Sequence, residues 1–408
     1  MPHAQPDGDA APADGAIAAR SLAQWGRRPF GIYVHVPFCA VRCGYCDFNT
    51  YTSAELGTAP GASRETYATA AIAEIRMARR VLGDADVPVE TVFVGGGTPT
   101  MLAPADLVSI VDAIDTEFGL APGAEVTTES NPDSVDEDDL VQLRAGGFNR
   151  VSFGVQSSRR HVLATLDRTH DPDRVPAVVG WARDAGFHQL NLDLIYGTPG
   201  ESLDDWRASL ATVLELRPDH VSAYALIVED GTALARRVAR GELAMTDDDD
   251  LADKYLIADA SLGAAGLGWY EVSNWAKSTE SRSRHNLLYW TGADWWGIGP
   301  GAHSHVAGTR WWNVKHPVAY AGRLATGCSP AAGRELLGEP ARRLERVMLE
   351  LRLDSGLPVD LLDQVARDAL PGLVERRLIN PAALTAGVVA LTISGRLLAD
   401  GVARELIG

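Results

Sequence analysis

Short apolar runs rich in β-branched and aromatic residues recur along the chain, at Ile32 to Val36, Thr91 to Val94, Glu125 to Glu129, Arg150 to Val155, Gln189 to Ile195 and His220 to Leu226. Runs of this length read as strands. Between them, stretches such as Glu65 to Leu82 and Ala105 to Phe118 carry apolar residues at helical spacing, the mark of helices that bury one face. Alternating strands and helices favour parallel βα units. The pattern therefore predicts an α/β fold, a partial (β/α)6 barrel over residues 29–230. Such a barrel gathers the loops that follow its strands at one mouth, where chemistry is built.

Beyond residue 230 the pattern changes. Residues 231–334 read as an extension of the barrel, with a Trp-rich segment from Trp269 to Trp312. Residues 335–408 read as a smaller, separate α+β domain. There, helical periodicity at Ala341 to Leu353 and Val359 to Leu370, a strand-like run ending at Leu391, and Gly395 to Ile407 suggest a winged-helix-like arrangement. Its arginines and acidic residues balance, with no basic stripe, so nucleic-acid binding is not expected. The acidic run Asp247 to Asp250 follows Thr246 and is read as a solvated, capped helix start.

Charge reinforces that exclusion. Subtracting 54 acidic from 37 basic side chains leaves a net charge of -17, which opposes non-specific attraction to nucleic-acid phosphates. The first 28 residues, rich in Ala, Pro, Gly and Asp, are read as a disordered tail without the apolar stretch of a signal or membrane span. Three of the four cysteines fall within eight residues, unlike the spread pairs of a secreted disulfide framework. A cytoplasmic protein is expected, with any membrane contact peripheral.

The chemistry concentrates at the predicted strand ends. Cys39, Cys43 and Cys46 follow the first strand in a C-x-x-x-C-x-x-C loop. Thiolates are the ligands of iron-sulfur clusters, and three of them on a 4Fe-4S cube leave one iron open to another ligand. A zinc site would need a fourth ligand, for which His35 or Cys328 could serve. Tyr33, Phe38, Tyr45 and Phe48 flank the loop as candidates to shield it from water. Gly96, Gly97 and Thr98 follow the second strand, where glycines let backbone approach a ligand. Glu129 ends the third strand, Gln156 follows the fourth with Arg168 beyond it, and Asp193 lies on the fifth. Carboxylates and amides bind ribose hydroxyls and ammonium groups, and a guanidinium matches a carboxylate.

The cysteine spacing after the first strand of a barrel resembles the radical S-adenosylmethionine (SAM) superfamily. That resemblance implies a radical SAM barrel in which the amino and carboxylate groups of SAM chelate the open iron, and an electron from the cluster cleaves SAM to a 5'-deoxyadenosyl radical. Gly95 to Pro99 resembles the superfamily segment that binds the methionine amino group. Longer motifs narrow the family: His35-Val-Pro-Phe-Cys39, Cys46-Asp-Phe-Asn49, His285-Asn-Leu-Leu-Tyr289-Trp290, Gly297 to Ser304, and the terminal Leu391 to Leu398. From Gly31 to Ile407 the chain resembles the oxygen-independent coproporphyrinogen III oxidase-like group, and within it the HemW-like haem chaperones.

One position separates the two branches. The oxidases carry a further cysteine two residues beyond the third, where this chain has Phe48. The resemblance thus implies a haem-binding protein that passes haem to haem proteins of respiration, with the cluster and SAM supporting transfer or homodimer formation. The alternative is the oxidase, which converts two propionates to vinyl groups. Among haem axial ligands, His285 is preferred because Trp275, Tyr289, Trp290, Trp295 and Trp296 surround it in sequence and offer flat surfaces for a macrocycle. A packed core around a hydrogen-bonded His285 is the competing reading. His303, His305 and Cys328 are further ligand candidates.

Overall fold

A computed structural model describes residues 6–56 and 63–407. Six strands, β1 (Phe30–Val36), β2 (Val89–Gly96), β3 (Leu120–Ser130), β4 (Arg150–Gln156), β5 (Gln189–Tyr196) and β6 (His220–Ala225), lie side by side in chain order, each parallel to the next. Helices Arg64–Leu82, Pro104–Phe118, Glu137–Ala145, Val175–Asp184 and Leu203–Glu215 connect them. This is the predicted succession of βα units. Local sequence explains two helix starts: Asp136 with Asp139, and Ser202 with Asp205, each form a reciprocal capping box that satisfies exposed N–H groups of the first turn. The large apolar side chains of strands and helices meet in one core, with Phe30, Ile32, Val92, Phe153, Leu192 and Trp206 at most 1% exposed.

The sheet continues beyond the six strands on both sides. Past β6 lie β8 (Asn274–Ala276) and then β7 (Gly268–Glu271), while next to β1 come, in order outward, β9 (Asp294–Ile298), β10 (His303–Val306), β11 (Thr309–Asn313) and β12 (Ala331–Leu336). The Trp-rich stretch therefore widens the sheet at both edges. A carboxylate fixes one of these additions: Glu74, fully buried on helix Arg64–Leu82, accepts hydrogen bonds from Tyr320 Oη (2.5 Å), Gly299 N (2.8 Å) and Asn313 Nδ2 (2.8 Å). Burial pushes its pKa up to about 7.

Two expectations need correction. The first 28 residues are no loose tail where they are described. The Asp9 and Arg334 backbones exchange 2.9 Å hydrogen bonds, Ser329 N donates to Ala13 O at 2.7 Å, and Ser21 Oγ donates to Ala307 O at 3.1 Å. Ile17 and Ser21 are buried. Small and turn-forming residues signal a lack of regular structure, but β12 is an edge strand whose unpaired backbone groups attract a partner. Residues 1–5 of that segment lie outside the described residues. The second concerns the helix Asp248–Ala264, which is capped by Asp247 itself, its carboxylate accepting from Asp249 N and Asp250 N; Thr246 plays no such part.

The C-terminal piece has its own core of Val347, Leu351, Leu357, Leu370, Leu373, Ile379, Val389 and Leu406. Helices Glu339–Glu350, Gln364–Glu375 and Ala399–Ile407 enclose it. The expected strand-like run is reduced to Val388–Val389, paired with Leu357–Pro358. No helix among the described residues is long and apolar enough to cross a membrane.

Candidate functional site

The mouth at the C-terminal ends of β1 to β6 opens into a cavity of about 370 Å³. Its wall includes Cys39, Cys43 and Cys46, then Tyr45, Gly96, Gly97, Thr98, Glu129, Gln156, Arg168 and Asp193. Residues from five successive strands and the loops after them thus meet as predicted.

The cysteine loop is anchored by its backbone. Cys39 N donates to Tyr51 O at 3.0 Å and Cys46 N to Cys43 O at 3.1 Å. All three thiols are half-buried and free of disulfides. Burial, followed by the neighbouring Cys46 and Cys43, pushes the Cys39 thiol up to about 11, and burial likewise raises Cys46. Crowded, desolvated thiols of this kind become thiolates when cationic iron supplies the missing counter-charge. Among the described residues, no group of three or more His, Cys, Asp or Glu side chains is placed to hold a single metal ion. Three thiols around one cavity suit a cube, where each takes a different iron, better than mononuclear zinc.

Glycine is required beside them. A Cβ on Gly97 would lie 2.5 Å from Phe38 O and 3.0 Å from Cys39 Sγ, and one on Gly96, whose φ is +111°, would strike the His35 ring at 2.7 Å. The chain approaches the cluster loop with no room for a side chain. Gly96 N donates to Glu129 Oε2 at 3.0 Å. Burial and then the Asp193 carboxylate raise Glu129 to about 8, so it holds a proton at neutral pH until a cation arrives. Asp193 is fixed by Ser152 Oγ and Asn191 Nδ2, each donating at 2.7 Å, and burial raises its pKa also.

Across the cavity, Arg168 Nη2 donates to Gly154 O at 2.6 Å and Nη1 reaches Cys43 Sγ at 3.6 Å. Its Nε is buried without a partner, while the residue itself lines the cavity. Gln156 adopts φ 63°, a left-handed conformation uncommon outside glycine. The pocket thus offers a carboxylate for an ammonium, a guanidinium for a carboxylate, and a buried carboxylate for hydroxyls.

A profile of the Radical SAM superfamily matches residues 33–213. A protein of Mycobacterium tuberculosis named Heme chaperone HemW is 50% identical over 388 residues, which span 95% of this chain and 97% of the relative. The chain belongs to the HemW family of radical SAM proteins. The Heme chaperone HemW of Bacillus subtilis is 32% identical over 387 residues, 92% of this chain and 98% of its own. In fold, the solved structure of Escherichia coli coproporphyrinogen III oxidase (HemN), a radical SAM enzyme, aligns with a TM-score of 0.80 at 24% identity, covering 95% of this chain and 92% of that one. Membership of the superfamily implies a 4Fe-4S cluster and SAM.

Two predicted site residues stand apart from the cluster pocket. Tyr33 and His285 line an adjoining polar cavity of about 130 Å³ inside the barrel, along with Arg150, Asn191 and His220. His285 is 1% exposed; its Nδ1 is 2.7 Å from Thr91 Oγ1 and its Nε2 is 2.8 Å from Tyr289 Oη. Burial lowers its pKa to about 3. Both nitrogens are engaged within the protein, which is the geometry of the competing reading, a packed and hydrogen-bonded core residue. Among the surrounding indoles, Trp275 and Trp296 are at most 1% exposed and offer no face to a macrocycle, while Trp290 and Trp295 are half-buried. His305 is equally committed, to Ala293 O (2.9 Å) and Gly308 N (3.0 Å). Phe48, cast as a shield, is 60% exposed at the rim.

Sequence reasoning missed Ser152 and Asn191, which orient Asp193, and Ile195, Tyr224, Leu226 and Ile227, which close the far wall. Period-two alternation along β4, β5 and β6 could have found the polar ones, since Ser152, Asn191 and Ser222 interrupt otherwise apolar strands.

Proposed function

We propose that this protein is a haem chaperone that holds a 4Fe-4S cluster through Cys39, Cys43 and Cys46, binds SAM in the adjoining cavity, and delivers haem to respiratory haem proteins of the cytoplasm or its membrane face. The observation that carries the reading is near full-length identity of 50% to a relative named Heme chaperone HemW, in a chain with Phe48 where the oxidase branch has a further cysteine. When bound, the cluster supplies an electron and an open iron for SAM. The chain's own residues do the rest. Glu129, beside Gly96, receives the methionine ammonium and gives up its proton. The Arg168 guanidinium would hold the carboxylate, Asp193 would take ribose hydroxyls, and the Ile195 and Leu226 side chains would exclude water from the base.

Anaerobically reconstituted protein, titrated with haem and separately incubated with coproporphyrinogen III, reductant and SAM, tests this. Stoichiometric haem binding without vinyl product is expected. Protoporphyrinogen IX formation without haem binding would assign the protein to the oxidases.

A further inference from the structure

His285 and His305 each have both ring nitrogens hydrogen-bonded within the fold, and the other histidines differ in how far theirs are committed. His35 is held by Tyr33 Oη and Asn49 O, each at 2.9 Å, and His220 by Asn191 Oδ1 (2.6 Å) and Tyr270 Oη (2.8 Å); His170 has both ring nitrogens unpartnered but is buried and lines neither the cluster pocket nor the cavities beside it. His303, the first residue of β10, is exposed, and neither ring nitrogen has a hydrogen-bond partner among the described residues. Its ring is stacked on Trp312, centroids 5.9 Å apart and planes inclined by 30°, while Trp295 Nε1 donates to its carbonyl at 3.0 Å. The side chain is thus oriented by packing yet chemically free.

It faces a cavity of about 340 Å³ lined also by Tyr33, Phe48, Tyr289 and Trp295, within the roughly 300–1,000 Å³ of sites that hold small molecules and cofactors. This cavity is separate from the cluster pocket but shares Phe48, Gly96 and Glu129 with it. An exposed aromatic face therefore stands at the junction, with the apolar Val41 and Ile227 (51% and 65% exposed) along the cluster pocket's rim. Burial, then the charges of Arg310 and Lys315, lower the His303 pKa; Lys315 has no carboxylate partner among the described residues and suits a propionate.

We propose that His303 is the axial ligand of haem iron, with the macrocycle lying in the cavity between Phe48 and Trp295 at the edge of the cluster pocket. The proposal rests on the haem-chaperone reading and gives its cargo an address. An imidazole lone pair enters an open position on the iron in place of water, with no change in oxidation state. The position of Phe48 sets the cargo beside SAM and the cluster.

Haem titration of the reconstituted full-length protein, followed by its Soret absorption, tests this with His303→Ala and His285→Asn beside the wild type. The expected result is an unchanged spectrum in His285→Asn, and in His303→Ala a loss of the histidine-ligated spectrum with affinity weaker by about tenfold or more, the scale on which metal-site changes act. Added imidazole should restore the spectrum of His303→Ala. Wild-type spectrum and affinity in His303→Ala would overturn the assignment while leaving the chaperone intact. Failure of the wild type itself to bind haem would overturn both, and is told apart by that first titration. Because His303 is exposed, its variant folds; circular dichroism checks His285→Asn, and Thr91→Val, which frees His285 Nδ1, gives the same expectation without removing the ring.

Discussion

The mouth of the barrel and the aromatic region around His285 hold similar side chains, and they use them in opposite ways. At the mouth, the thiols, the Glu129 carboxyl and the Arg168 side chain line a shared cavity with bonding capacity left over. Around His285, the ring and its backbone are answered: Thr91 and Tyr289 take the ring nitrogens, and Glu125 accepts from the backbone N–H of Arg284 and of His285, each at 3.0 Å. Residue type alone does not distinguish a ligand site from a core. Uncommitted valence on side chains that line a cavity does.

The contrast is most vulnerable at the cysteines. Cys43→Ser should abolish the cluster, with iron and sulfide analysis of the anaerobically reconstituted protein falling to background while circular dichroism is retained. Retention of a full complement of iron would move the cluster elsewhere. Glu129→Gln comes next. Loss of one charge-assisted contact, about 1.5–3 kcal/mol, should weaken SAM binding by about 10- to 100-fold in equilibrium dialysis.

The same carboxyl has a pH signature. Its folded pKa of about 8 lies above the ordinary 4.5, so the stability it contributes is present below 4.5 and is lost as pH rises through about 8. Glu129→Gln should therefore unfold at higher denaturant than the wild type at pH 8, and the gap should close toward pH 5.

His285→Asn probes the other region. It leaves buried partners unanswered and should cost about 1–3 kcal/mol of stability in chemical denaturation. Burial holds the wild-type ring near 3 against an ordinary 6.5, so its stabilising share is full above 6.5 and is lost as pH falls from there through about 3. The variant should lose less stability on acidification. Phe48→Ala is the smallest effect: an exposed ring should leave the unfolding midpoint within about 0.5 kcal/mol.

Much of this was legible from residue order. The six strands and their helices follow from apolar periodicity, and the strand ends brought eleven predicted residues to one cavity because parallel strands all point their C-terminal ends the same way. What stayed hidden was long-range pairing. Nothing near His285 in sequence announces Thr91, 194 positions away. Nor does the tail's composition announce Arg334, since backbone pairing at a sheet edge is indifferent to side-chain identity.

That pairing of Asp9 with Arg334 has a practical side. The segment before β1 acts as a selvedge, finishing a border of the sheet that would otherwise fray or stitch itself to another molecule. A chain trimmed to begin near residue 17 should keep its cofactor pocket and yet lose colloidal stability, with light scattering rising on concentration as bare β12 edges find one another.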